Sequence, residues 1–250
     1  METLQWNSFL KTKERFLKFT KELSDSLPNL KNIQQEFANN RSGGKNSAYI
    51  VQTPVVYNSA LDDITIDDDI KLILAADNPG RREQESKRYL IGPSGKIADK
   101  FFINNPELGI DFKKNVIILN KTPVHSPRTV ELRDICRLEK KSRLMETALT
   151  DSQKEMASLL LEFHETFYCP VWITGYSEMR KGGIFETYTE SLKYFYKNRK
   201  KLLAQLFIFR HFSMNQFTID LKQQALKGES VKASLRRIGK AYRARILALE

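Results

Sequence analysis

The side chains of this chain that could do chemistry stand where apolar runs end. Leu72 to Ala76 is apolar, and the chain then passes at once into Asp77, Asn78, Pro79 and Gly80, followed by Arg81 and Arg82. A Pro-Gly turn accounts for the Pro, the Gly and an Asx residue before them. It does not ask for the basic pair. Three more apolar runs end in the same manner: "NVIILN" at Asn120, "PVWITG" at Gly175, and "LAQLFIFRHF" at His211, with Ser213 just beyond. Carboxylate, carboxamide and imidazole groups can orient a ligand, hold a water or move a proton. Thiol and metal chemistry are poorly provided for. Cys136 and Cys169 lack the second pair of a zinc or iron–sulfur site and have no neighbouring His or Gly-rich turn. Neither a metal nor a cofactor is expected.

The elements that must position these groups follow from the patterning. Apolar residues at helical spacing (Leu4, Trp6, Phe9, Leu10, Phe16, Leu17, Leu23) predict a helix over 3–27, ended by Pro28. "NNRSGGKNS" is a turn signal, and "AYIVQTPVVYN" reads as extended, because Pro54 forbids regular helix and β-branched residues favour strand-like backbone. The acidic "DDITIDDD" belongs on the surface before the first strand. Strands at 71–76, 115–120 and 170–175 and one ending at His211 then alternate with helices: "GKIADKFFINN", "TDSQKEMASLLLEFHETF" with Thr150 or Asp151 as N-cap, a basic-aromatic helix over 186–203, and a last one over 219–248. Near-continuous apolar strands separated by helices imply a parallel sheet covered on both faces. The expected fold is therefore α/β: a three-layer α/β/α sandwich with a central four-stranded, mostly parallel sheet and extra terminal helices. Ligands of such folds bind at the carboxyl ends of the strands, where Asp77, Asn78, Asn120, Gly175 and His211 would meet.

The 250 residues suffice for a substantial core, here read as one domain with an N-terminal helical extension (1–45) and a basic C-terminal helix (222–250). No apolar run approaches the roughly 20 residues needed to span a bilayer. The N-terminus has no apolar signal core, so a cytoplasmic monomer is expected. A net charge of +11 favours a polyanionic partner.

Several motifs resemble those of the uracil-DNA glycosylase superfamily, and of its single-strand-selective monofunctional branch in particular. "ADNPG" (76–80) is similar to the Gly-Met-Asn-Pro-Gly motif of that branch, and "TPVVYN" (53–58) to its Val-Tyr-Asn-Pro lead-in. "KRYLIGPSGKIADKFF" resembles the Pro-Phe-Val-Gly-x-x-Gly segment, "NVIILNKTPVHSP" the Asn-ended strand, and "HFSMNQ" (211–216) the closing His-Pro-Ser-Pro-Arg-Asn motif. The resemblance covers roughly residues 50–220, in the expected order. Ala76 and Phe212 depart from the Gly and Pro of those motifs, and Leu90, beside Tyr89, stands where the superfamily places a base-stacking Phe. The chain also lacks the four cysteines of the iron–sulfur branches.

The resemblance implies a DNA glycosylase that hydrolyses the N-glycosidic bond of uracil or a related damaged base, such as xanthine or hypoxanthine, flipped out of single- or double-stranded DNA. The same fold without catalysis, as a nucleic-acid-binding protein, is the alternative. His211 would donate to the leaving base and Asn78 would hold a water; as plain sequence features they read as a strand-end loop histidine and a turn-forming Asx residue, and only the resemblance gives them these roles. Asn120 would read the O4 and N3–H edge of uracil or simply terminate a strand. Tyr89 or Leu90 would stack on the base, with Asp77 and Gly80 completing the pocket. Ser213, Met214, Asn215 and Phe217 would form the loop that enters the groove, Met214 or Phe217 serving as wedge. Arg81 and Arg82 would lie beside the site, and Lys197, Arg199, Lys200, Arg236 and Arg237 are phosphate-binding candidates or solvated helix faces. Leu235, Ile238, Tyr242 and Ile246 share the face by which the last helix would dock.

Overall fold

A computed structural model describes residues 1–40, 49–138 and 143–249; the expected turn at 39–47 lies, from residue 41 onward, outside them. Four short strands form one sheet: β1 (Leu72–Ala76), β2 (Val116–Asn120), β3 (Val171–Thr174) and β4 (Leu206–Phe209). Their order is β2-β1-β3-β4, and every pairing is parallel. The expected α/β/α sandwich is present, with no antiparallel strand in its sheet. From β1 the chain moves outward to β2, and from β3 outward in the opposite direction to β4. The switch point, where a crevice opens in folds of this kind, thus lies between β1 and β3.

Helices cover both faces. They are α1 (Thr3–Ser26), α2 (Leu30–Asn40), α3 (Arg81–Ser86), α4 (Pro93–Ile103), α5 (Glu131–Leu138), α6 (Leu144–Phe167), α7 (Glu186–Tyr196), α8 (Lys200–Leu203), α9 (Gln216–Gln224) and α10 (Val231–Leu247). On one face α6 packs under β1 and β2 and is itself covered by α1 and α7. On the other, Phe101 of α4 and Phe217 of α9 meet Trp172 of β3, and α10 crosses β4 so closely that a Cβ on Gly239 would stand 2.7 Å from Phe207. The main apolar core runs from Phe9 to Leu247, and Ala38, Tyr49 and Val51 form a small second cluster. No described helix is long and apolar enough to cross a membrane.

Several expected boundaries shift for physical reasons. α1 buries Phe9, Phe16 and Leu23 with Thr12 and Thr20 between them, whereas Leu4 and Leu17 face solvent. Helix α6 begins at Leu144, so Thr150 and Asp151 lie inside it rather than capping it; Met145, Ala148 and Leu149 extend its buried stripe backwards. The helix expected over 186–203 breaks at Arg199, which leaves helical geometry. The one expected over 219–248 breaks at Gly228, in the left-handed region, and restarts where the Ser230 hydroxyl accepts the Ala233 N–H. Leu235, Ile238, Tyr242 and Ile246 do share the buried face of α10.

Burial also sets a pH response. His164 in α6 is fully buried, its Nδ1 paired with the Tyr196 hydroxyl at 2.9 Å, and burial pushes its pKa from 6.5 down to about 4. Between those values the unfolded chain binds the proton and the folded chain does not. Stability should therefore fall as pH falls from 6.5 toward 4, by up to about 1.4 kcal/mol per pH unit for one such histidine. His125 is shifted in the same sense. Urea unfolding at a series of pH values checks this: His164→Gln should flatten the acid slope, and an unchanged slope in that variant would remove His164 from the account.

Candidate active site at the carboxyl rim

All four strands exit on one rim, and the register places Ala76 of β1 beside Asn120 of β2. The residues that follow interlock. Lys121 has no exposed surface; its Nζ reaches Asp77 Oδ1 at 2.5 Å, donates to the Ala76 and Thr174 carbonyls, and lies 4.9 Å over the Phe185 ring. Burial lowers the Lys121 pKa, and the Asp77 carboxylate opposes that. One ammonium thus ties together the ends of β1, β2 and β3. Gly175, at the end of β3, has φ +84°, and a Cβ there would stand 2.3 Å from Asp77 Oδ1. Only glycine both adopts that backbone at low cost and leaves the carboxylate its room.

The turn after Asp77 is anchored from below. Asn78 Nδ2 donates to the Ser126 carbonyl at 3.0 Å and to Ser126 Oγ at 2.9 Å, while its Oδ1 accepts from Thr129 Oγ1 at 3.0 Å. The buried His125 donates from Nδ1 to the Pro79 carbonyl at 2.8 Å and accepts the Tyr49 hydroxyl at Nε2; burial holds its pKa near 4, so the ring stays neutral. Glu83 Oε2 accepts the Gly80 N–H at 2.9 Å. Burial raises the Glu83 pKa to about 7, against the lowering effect of N–H groups from Gly80 and from residues 90–92.

Two groups at the strand exits have hydrogen-bonding capacity to spare. Asn120 is 1% exposed, and neither Nδ2 nor Oδ1 has a hydrogen-bond partner among the described residues. Each such buried group costs roughly 1–3 kcal/mol when left unpaired. His211 Nδ1 accepts the Ser213 N–H at 3.0 Å, so a neutral ring carries its proton on Nε2 and donates from there. Burial lowers the His211 pKa, Asp77 raises it and Lys121 lowers it, so the ring is neutral at pH 7 and lies within electrostatic reach of both.

The remaining expected residues divide. Arg81 and Arg82 are exposed at the start of α3, Arg81 lying over the Tyr49 ring at 5.0 Å and against Glu85 at 3.4 Å. Ser213, Met214 and Asn215 form a protruding turn, with Met214 80% exposed and both Met214 and Asn215 in the left-handed region. Tyr89 is core instead: its hydroxyl donates to the Val56 carbonyl and its ring meets Phe16. Leu90 is buried too, with its carbonyl against the bare Cα of Gly95. Phe217 is no wedge, since it is buried and stacked on Phe212 at 4.3 Å.

The basic runs fall on the wrong side of the sheet. Lys197, Arg199 and Lys200 follow α7, which returns the chain to the amino edge before β4 begins, and Arg199 is held by Glu165 at 2.9 Å. Arg236 lines a cleft of about 340 Å³ with Lys71, Pro170 and Gln205, the residues just before β1, β3 and β4. Arg237 is bound to Glu229. Exposed cations that follow strand ends include Arg81 and Arg82, and also Arg128, which pairs with Glu131 at 2.9 Å, Arg180 and Lys181. Sequence reasoning passed over the last three, together with Lys121, Ser126 and Thr129; their only signal was their position after a strand. A second cleft of about 720 Å³ flanks β2 and also omits Asp77, Asn120 and His211. Polar capacity marks the rim.

Gly175→Ala should destabilise the fold by about 1–3 kcal/mol, from left-handed strain plus the collision with Asp77. Chemical denaturation reads this, and a variant as stable as wild type would show that the carboxylate is not held where the structure puts it. No family model matches this sequence, and neither does any curated protein.

Proposed function

We propose that this chain is a monofunctional DNA glycosylase of the kind its motifs resemble, excising uracil or a related damaged base. The observation that carries the reading is Asn120, a buried strand-end amide with a donor and an acceptor both unused. That pair complements the O4 and N3–H edge of uracil. A base must leave the stack to reach such a group, at a cost of a few kcal/mol. Met214, exposed at the tip of its turn, is the apolar side chain suited to fill the gap left behind. Arg82, Arg128, Arg180 and Lys181 supply sequence-independent phosphate contacts around the rim.

As the glycosidic bond breaks, negative charge grows on the base oxygen. His211 Nε2–H, fixed in direction by the Ser213 N–H on the opposite nitrogen, is a preorganised donor for that charge. The ring is neutral, so it stabilises the anion by hydrogen bonding without surrendering a proton. The second reading, a nucleic-acid-binding protein without catalysis, is favoured by one observation: Asn78, the expected water holder, has its amide engaged by Ser126 and Thr129.

Single- and double-stranded oligonucleotides carrying one uracil, xanthine or hypoxanthine, treated with the protein and then with alkali, separate the two. Wild type should leave alkali-labile sites in at least one substrate. His211→Ala should lose about 10²–10³-fold, the usual cost of removing one such donor, and Asn120→Ala should lose comparably while low-salt DNA binding survives. Binding without cleavage on every oligonucleotide would replace the glycosylase by the binding protein.

A further inference from the structure

We propose that Asp77, rather than the adjacent Asn78, is the group that takes a proton from the attacking water, and that Lys121 is the residue that positions it. This rests on the glycosylase reading and assigns a role at the same rim. A general base needs a basic lone pair within reach of the water. Both hydrogens of the Asn78 amide are engaged by Ser126, and its oxygen already accepts from Thr129. An amide is in any case a poor proton acceptor. Asp77 has the opposite profile. Its Oδ1 is fixed by Lys121 at 2.5 Å, whereas no described residue hydrogen-bonds Oδ2, and the side chain is 14% exposed where Lys121 is 0%. One oxygen is clamped, and the other keeps its lone pairs free of any described residue.

The surroundings keep that arrangement. Lys121 cannot swing away, because the Ala76 and Thr174 carbonyls hold its ammonium from two other strands. Gly175 leaves free the space that any Cβ would take from the carboxylate. The charged and titratable groups around Asp77 are Lys121 after β2, His211 after β4, and Glu178, whose charge acts on Lys121 from the turn after β3. Asp77 leaves the central strand β1, between the exits that carry Asn120 and His211. A base gripped by Asn120 and polarised by His211 would therefore present its sugar carbon above Asp77.

The step balances with water alone. The bond between C1′ and the base nitrogen breaks, and its electron pair leaves with the base, whose oxygen His211 Nε2–H stabilises. The water oxygen bonds to C1′ while its proton passes to Asp77 Oδ2. That proton then goes to the departed base through solvent. Free base and an abasic deoxyribose are the products.

Two measurements test this. In single-turnover excision of the best substrate of wild type, Asp77→Asn should be slower by 10²–10⁴-fold, the usual contribution of a positioned base, with oligonucleotide binding retained. Should that variant fail to fold because Lys121 loses its counter-charge, Asp77→Asn/Lys121→Gln carries the same expectation. Independently, wild type should bind an oligonucleotide bearing a cationic pyrrolidine abasic mimic at least tenfold more tightly than one bearing neutral tetrahydrofuran, because the carboxylate lies beside the carbon that becomes positive. A merely structural Asp77 would give no such preference. An active wild type without that preference, or an Asp77→Asn variant within tenfold of wild type, overturns the assignment and leaves the glycosylase reading intact. A wild type that cleaves nothing overturns both.

Discussion

A lysine ammonium with no access to water must be neutralised where it lies, and Lys121 organises the working edge of this protein for that reason. An unpaired charge in such a place costs several kcal/mol. The structure meets the demand with a carboxylate from β1 and carbonyls from β1 and β3. Three strand exits are therefore held at fixed separations by a group that cannot leave without exposing a buried charge. The bare Gly175, the direction of Asp77 and the charge environment of His211 all follow from this one placement. Hydrophobic residues of similar volume could hold the same strands together, often with equal or greater stability. What they could not do is present an oriented carboxylate at the switch point of the sheet.

Much of the framework was legible in the sequence because a parallel sheet writes a simple pattern. β1, β3 and β4 are buried along their whole length and the edge strand β2 alternates between half-buried and buried, so the runs at Leu72, Val116, Val171 and Leu206 are mostly apolar and stand out against amphipathic helices. Their polar exits then had to lie on one rim. Helix ends were less legible. The stripe of α6 continues back through Met145, and no single residue there announces the true start. The break before α10, by contrast, did carry a signal in Gly228 and Ser230. The α5 helix has no long apolar run to betray it, because it contacts the body through only a few residues such as Leu132 and Ile135.

Side-chain positions were legible only where the backbone decides them. A residue at a strand exit is placed by topology, which is why Asn120 and His211 meet expectation in position. Tyr89 and Phe217 are aromatic residues close in sequence to the site, and aromatic rings bury where the core has room, here against Phe16 and against Phe212. Charge runs misled for a related reason. "KNRKK" is dense in cations, but it closes a helix that returns to the amino edge, so its charge faces away from the rim. Isolated cations such as Arg180 and Arg128 carry no compositional signal, yet follow strand exits. In a fold of this class, the position of a basic residue relative to the nearest strand end says more than the density of its neighbours.

Unpaired buried polar atoms are few among the described residues, and one of them, the Tyr188 hydroxyl, lies in the core, on α7. Gln34, His164 and Arg243 each leave one buried atom without a partner, but each is anchored through another: Gln34 to the His125 carbonyl, His164 to Tyr196, Arg243 to the Leu206 carbonyl. Their side chains hold structure and tolerate a residual cost. Asn120 is anchored through neither of its polar atoms. A strand-terminating Asn that served only the fold would use at least one of them, and a Leu in its place would fill the same space without the cost of two orphaned groups. The amide makes no hydrogen bond among the described residues that would hold the sheet together. It stands at the strand exit next to the one that carries the clamped carboxylate of Asp77.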